Sequence, residues 1–162
     1  MTPEELAQLS RDIRAGRVKV YHGGFPGLQA GDALLPASVT QSHNLSDVFR
    51  EISPEKQIRK DRIYITTDRF IAVGVAAHYA KRPGSAKNWG AVYQVMTGPD
   101  NVEIDTDTPK GPYVTFQCTT ATVVKVMVKG VNPDSPENSA RLASFIDEVR
   151  AAHGLPPRPR IR

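Results

Sequence analysis

Five short runs, VKVYHGG, RIYITT, GAVYQVM, YVTFQC and TVVKVMVKG, carry the alternation and the β-branched and aromatic residues of strands. The helical segments do not alternate with them as crossover helices would. This order predicts an α+β domain rather than a doubly wound parallel sheet. Three helical segments stand around the strands. Thr2, Pro3 and Glu5 form a capping box ahead of Leu6, Leu9 and Ile13, and Gly16 closes that helix. Thr67 or Asp68 caps RFIAVGVAAHYAKR, which stops before Pro83. Asp134-Ser135-Pro136-Glu137 opens a last helix with Leu142, Phe145, Ile146 and Val149 on one face, ended by Gly154. A short helix capped by Asn44 or Ser46 and running through Ile52 is also expected. The stretch from Phe25 to about Ser42 reads as a long loop, interrupted by glycine and proline, of the kind that is functional or mobile.

The chain has 162 residues, enough for one domain without a metal or disulfide to hold it. We expect a single domain over 1–154 and a basic, proline-rich tail over 155–162. That tail, LPPRPRIR, reads either as a solvated end or as an electrostatic arm for an acidic partner. No apolar run approaches the ~20 residues of a membrane span. The start, MTPEELAQLSRDIR, lacks the apolar core of a secretory signal. The single cysteine, Cys118, makes an internal disulfide impossible and excludes zinc sites built on several cysteines. A cytoplasmic monomer without a metal is the expectation. Lys and Arg number 21 against 17 acids, a surplus of +4 that favours the approach of polyanions, whether a dinucleotide or a nucleic acid.

Several chemistries have no motif here. There is no phosphate-binding G-x-x-x-x-G-K-[ST] loop, no G-x-G-x-x-G after a strand, no H-E-x-x-H and no G-x-S-x-G elbow. Cys118 sits in an alternating strand and reads as a small buried hydrophobe. Three pieces remain. Tyr21-His22-Gly23-Gly24 sets an imidazole beside bare backbone, which suits close approach of a flat ligand and equally suits a tight turn. Ile63-Tyr64-Ile65-Thr66-Thr67 places Tyr64 and Thr66 on its less apolar face, where a tyrosine can stack on a planar ring or pack across strands. Val102-Glu103-Ile104-Asp105-Thr106-Asp107 offers three carboxylates, either as a solvated strand edge or as an anion for a developing cation.

In this order the pieces resemble the ADP-ribosyltransferase superfamily, and most closely the small bacterial rifampicin ADP-ribosyltransferases. The likeness rests on Tyr21-His22-Gly23, the loop LQAGDALLPAS, Ile63-Tyr64-Ile65-Thr66, the helix Ala72 to Ala80, Ala91-Val92-Tyr93-Gln94-Val95, and Val102 to Asp107. It runs from about Val18 to Lys129. YVTFQCTT lacks the glutamate that many relatives outside the rifampicin group carry near this point, which weakens any claim to arginine-directed or polymerising activity. The resemblance implies a split β-sandwich with flanking helices and an NAD-dependent mono-ADP-ribosyltransferase. Such an enzyme moves ADP-ribose from NAD, its substrate, to an acceptor and releases nicotinamide. The acceptor stays open: a small molecule such as rifampicin, a nucleic acid or a protein.

The resemblance also implies site roles. His22 would hold the ribose hydroxyls and Gly23 the carboxamide. Tyr64, with Tyr79, would stack on the nicotinamide ring beside Thr66. Asp105 would stabilise the ribosyl cation. Of the three acids, Asp105 best matches the family's spacing, and we expect it, not Glu103 or Asp107, to face the cleft, with turn residues breaking the alternation. The alternative is a non-catalytic module that binds nucleic acid or another partner, in which the arginines act and the His-Tyr pair is structural.

Overall fold

The computed structural model describes residues 1–40, 59–80, 89–99, 102–105 and 114–159. Its elements in chain order are α1 (Pro3–Arg14), β1 (Val20–Gly24), β2 (Ala33–Leu34), α2 (Ala37–Thr40), β3 (Ile63–Thr66), α3 (Arg69–Ala80), β4 (Gly90–Thr97), β5 (Glu103–Ile104), β6 (Thr115–Cys118), β7 (Ala121–Val131) and α4 (Pro136–Ala152). The domain is therefore α+β. Its strands form one antiparallel sheet in the order β2-β7-β4-β1-β3-β6-β5.

Local chemistry sets the element ends. In α1 the capping box closes both ways: Thr2 Oγ1 accepts from the Glu5 amide at 3.2 Å, and the Glu5 carboxylate accepts from the Thr2 amide at 2.6 Å. At α3 the cap is Asp68, whose carboxylate accepts the Phe70 amide at 2.7 Å. At α4 the expected side-chain cap is absent. Ser135 stands at the N-cap without a capping bond. Residues of the first turn tie back instead, with Ser139 Oγ donating to the Pro133 carbonyl at 2.7 Å and Asn138 to the Asn132 carbonyl at 2.9 Å. The segment read as a loop after Phe25 holds two short elements, β2 and α2. The helix expected from Asn44 or Ser46 lies outside the described residues.

The sheet is covered on both faces. On one, Leu9 and Ile13 of α1 join the main core of Val20, Leu34, Ile63, Ile65, Tyr93, Val95, Phe116, Cys118 and Val123. Burial there pushes the Cys118 thiol up to about 12, which removes it as a nucleophile at neutral pH. On the other face α3 lies on β1 and β4. Its contact is unusually close. A Cβ at Gly23 would stand 2.0 Å from the Ala72 carbonyl oxygen, and one at Gly90 would stand 2.0 Å from that of Ala76. Glycines on the strands and alanines on the helix thus let backbone meet backbone. Outside α3 lies α4, with Ile71 packed among Phe145, Ile146 and Val149.

The start of the tail is held down. Leu155 packs on the α3–α4 cluster, Arg150 Nε donates to the Pro156 carbonyl at 2.7 Å, and the Arg158 amide donates to Asp147 at 3.1 Å. These contacts order residues 155–158 along α4, where the composition alone reads as a solvated end. Arg160 and Arg162 lie outside the described residues. No helix among the described residues is long and apolar enough to cross a membrane.

Candidate functional site

The sheet is nearly parted in its middle. β1 and β4 run together through five consecutive pairs, from Val20↔Val95 to Gly24↔Ala91. β3 and β6 share four, from Ile63↔Cys118 to Thr66↔Thr115. β1 and β3 are joined at one registered pair, Tyr21↔Thr66. Beyond that pair a side chain replaces the ladder: His22 Nδ1 lies 2.9 Å from the Tyr64 carbonyl oxygen. A carbonyl only accepts, so Nδ1 carries the proton and Nε2 keeps its lone pair in the neutral ring. Burial lowers the pKa of His22, partly offset by the bond to Tyr64, so the neutral form dominates near pH 7.

A cleft of about 450 Å³ opens at this seam. Its walls come from both faces of the sheet. Leu34, Ile63, Ile65 and Tyr93 of the main core line it, and so do Ile71, Ala72 and Phe145 of the helical side. The cleft therefore lies where the strands part, bounded by residues of both faces. His22, Gly23, Tyr64, Thr66, Tyr79 and Asp105 all line it.

Each of these residues has a definite setting. The His22 imidazole lies over Gly24, where a Cβ would stand 2.6 Å from Nε2. The two neighbouring glycines thus differ. The bare side of Gly23 is filled by α3, so packing explains that glycine, whereas the bare side of Gly24 makes room for the imidazole. His22 and Tyr64 leave their strands on opposite faces, since Tyr64 shares a face with Thr66 and Thr66 is paired with Tyr21. They meet through the Tyr64 carbonyl and not ring to ring. The Tyr64 hydroxyl donates to the Arg59 carbonyl at 3.3 Å. Thr66 Oγ1 donates to the Val114 carbonyl at 3.4 Å and accepts the Asp68 amide at 3.0 Å, so its hydroxyl fastens the start of α3. Tyr79 is buried, with Phe25 at its ring edge, centroids 4.7 Å apart.

The acidic stretch separates by depth. Glu103 pairs with Gln117, which donates to its carboxylate at 3.0 Å, and its side chain is 56% exposed. Asp105 is 6% exposed and accepts from Thr115 Oγ1 at 2.9 Å, and its amide donates to the Thr115 carbonyl at 3.0 Å. Both acids engage the same side of β6, two residues apart. The expected break in the alternation does not occur between them, because the ladder to β6 continues through Asp105. Asp105 lines the cleft and Glu103 does not. Asp107 lies outside the described residues. Among those residues no group of three His, Cys, Asp or Glu side chains stands as a metal site requires.

One wall depends on Tyr93, to which the sequence reading gives no role in the site. The Tyr93 hydroxyl donates to the Phe25 carbonyl at 2.6 Å and accepts the Leu28 amide at 3.3 Å, pinning the loop that follows Gly24. Tyr93 lies across from His22 in the β1–β4 ladder. A tyrosine amid valines in an inner strand was the available signal, since a buried hydroxyl needs a partner. The site as a whole defines an α+β domain with an apolar cleft at a parted sheet, lined among the described residues by one histidine and one buried carboxyl group. No family model and no curated protein matches the chain.

Proposed function

We propose that the protein is an NAD-dependent ADP-ribosyltransferase of the split β-sandwich type, with the nicotinamide half of NAD⁺ bound at the seam between β1 and β3. One observation carries this reading. Three segments far apart in the chain, at His22, Tyr64 and Asp105, line a single cleft at the place where the sheet parts.

The chemistry follows from that arrangement. Cleavage of the nicotinamide–ribose bond builds positive charge on the ribose, much as in glycoside hydrolysis. The electron pair of the breaking bond leaves with nicotinamide, and the acceptor oxygen or nitrogen then bonds to C1 of the ribose and gives up its proton. Asp105, buried and held by Thr115, offers a fixed anion for the cation. Neutral His22 offers Nε2 as an acceptor for a ribose hydroxyl. The Tyr64 ring and the Phe25 ring, 38% exposed at the cleft, offer surfaces for the planar base.

The test is incubation with NAD⁺ labelled in the nicotinamide ring, with and without acceptors of the three classes. Release of labelled nicotinamide that depends on the protein and increases with one acceptor supports transfer. Binding of NAD⁺ without release under any condition favours a non-catalytic binding module, and no binding ends the proposal.

A further inference from the structure

Arg62 is the one lysine or arginine among the described residues that lines the cleft. Its side chain is 15% exposed, against 47% for Arg59 nearby. The two arginines are used differently. Arg59 grips Asp61 with both Nε and Nη2, at 3.2 and 3.0 Å, and has Glu103 within 3.9 Å. Arg62 gives only Nη1, to the Asp61 carboxylate at 2.9 Å and the Asp61 carbonyl at 3.4 Å. Among the described residues, its Nε and Nη2 make no hydrogen bond. Two guanidinium groups therefore share one carboxylate, and Arg62 keeps the unpaired edge.

That edge is the part of arginine that fits an oxyanion with two parallel hydrogen bonds. A charge so far withdrawn from water is costly unless paired, and of this guanidinium only Nη1 is paired, with Asp61. Its position adds a constraint. Arg62 precedes β3, while Asp105 stands beside Thr115 opposite Thr66 at the other end of that strand. Four residues of extended chain, about 13 Å, separate the two ends. Two residues that line the cleft, a cation and an acid, thus stand at opposite ends of β3.

We infer that Arg62 is the anchor for a phosphate-bearing part of the ligand, taking a diphosphate on its free Nε–Nη2 edge while the ribose to be opened lies toward Asp105. This assignment rests on the ADP-ribosyl-transfer proposal, which supplies the dinucleotide. Asp61 is then a positioning residue, turning the guanidinium so that its other edge faces the cleft.

The experiment measures binding by calorimetry for NAD⁺, ADP, inorganic diphosphate and nicotinamide riboside, on the wild-type chain and on the Arg62→Met and Arg62→Lys variants. Thermal unfolding checks that each variant is folded. Arg62→Met is expected to weaken NAD⁺ and ADP by at least ~10-fold and to leave nicotinamide riboside within ~2-fold, the scale of losing hydrogen bonds to a charged group. Arg62→Lys should recover part of the loss, because it restores charge but not the fork. Folded Arg62→Met that binds NAD⁺ as tightly as wild type overturns the role of Arg62 and leaves ADP-ribosyl transfer standing. Wild type that binds ADP and diphosphate through Arg62 but not NAD⁺ keeps the anchor and overturns ADP-ribosyl transfer. Wild type that binds none of the phosphate-bearing probes overturns both.

Discussion

The two sides of β1 are built for opposite ends. Toward β4 the strand is zipped for its full length, and Gly23 and Gly90 let α3 clamp that wing backbone to backbone. Toward β3 it holds by one registered pair and a histidine side chain, and the cleft opens there. A single five-residue strand thus serves as the edge of a rigid wing and the lip of an open seam. Rigidity on one side is what lets the other side stay apart without collapsing, since the unpaired backbone of the lip is carried by a framework fixed elsewhere.

The glycine pair gives the sharpest way to break this contrast. Gly23→Ala drives a Cβ into the Ala72 carbonyl, a backbone atom that only a shift of α3 can relieve. Overpacking of that kind should cost about 3 kcal/mol, read as a lower denaturation midpoint at unchanged slope. Gly24→Ala meets only the rim of the His22 ring. It should cost about 1 kcal/mol of stability, less than Gly23→Ala, while turning the imidazole off the Tyr64 carbonyl and weakening NAD⁺ ~10-fold, the scale of one lost hydrogen bond. Equal stability losses in the two variants would erase the distinction between wing and seam.

Asp105 and Glu103 sharpen the same contrast within the other wing. Asp105→Asn keeps the shape and the Thr115 contact but removes the carboxyl group. It should slow nicotinamide release by at least ~100-fold with NAD⁺ affinity nearly unchanged, about 2.7 kcal/mol confined to the transition state. Glu103→Gln, at the exposed edge, should cost less than ~10-fold. An inactive Glu103→Gln beside an active Asp105→Asn would move the chemistry out of the cleft.

The smallest effect concerns protons at the seam. Burial lowers the His22 pKa in the folded chain, so the unfolded chain binds the proton more readily. Stability therefore rises with pH through the window below about 6.5, the ordinary histidine value, and is lost as pH falls from there toward the lowered folded value. Urea unfolding of wild type and His22→Gln between pH 7.5 and pH 5 reads this directly. The variant should show the shallower decline, and identical pH profiles would mean that the ring is not desolvated.

How far these features can be read from the chain differs by kind. Period-2 runs and caps are local, and β1, β3, α3, β4 and α4 stand where patterning puts them. The order of Tyr21-His22-Gly23, Tyr64 and the acidic stretch also drew attention to the residues that line the cleft. Register is not local. Nothing in RIYITT states that its pairing with VKVYHGG ends after Tyr21↔Thr66, or that Asp105 and not Glu103 sits deep. Two adjacent glycines look alike in sequence, and only the approach of Ala72 tells them apart. Arg62 closes a basic run, KQIRKDR, in which nothing local singles it out, and it takes the distribution of Asp61 between two guanidinium groups to reveal a free edge.

The claim on which all of this turns is that the seam, and not the zipped wing, receives the dinucleotide. Backbone amide exchange measured on Asp105→Asn, with and without saturating NAD⁺, tests it most directly, because that variant is expected to hold the substrate without consuming it. The account predicts slower exchange on binding at Gly24 and Phe25 and at Tyr64 through Thr66, with the paired amides of β4 and β7 unchanged. Protection that appears along β7 or α4 while the β1 and β3 lips exchange as before would contradict it.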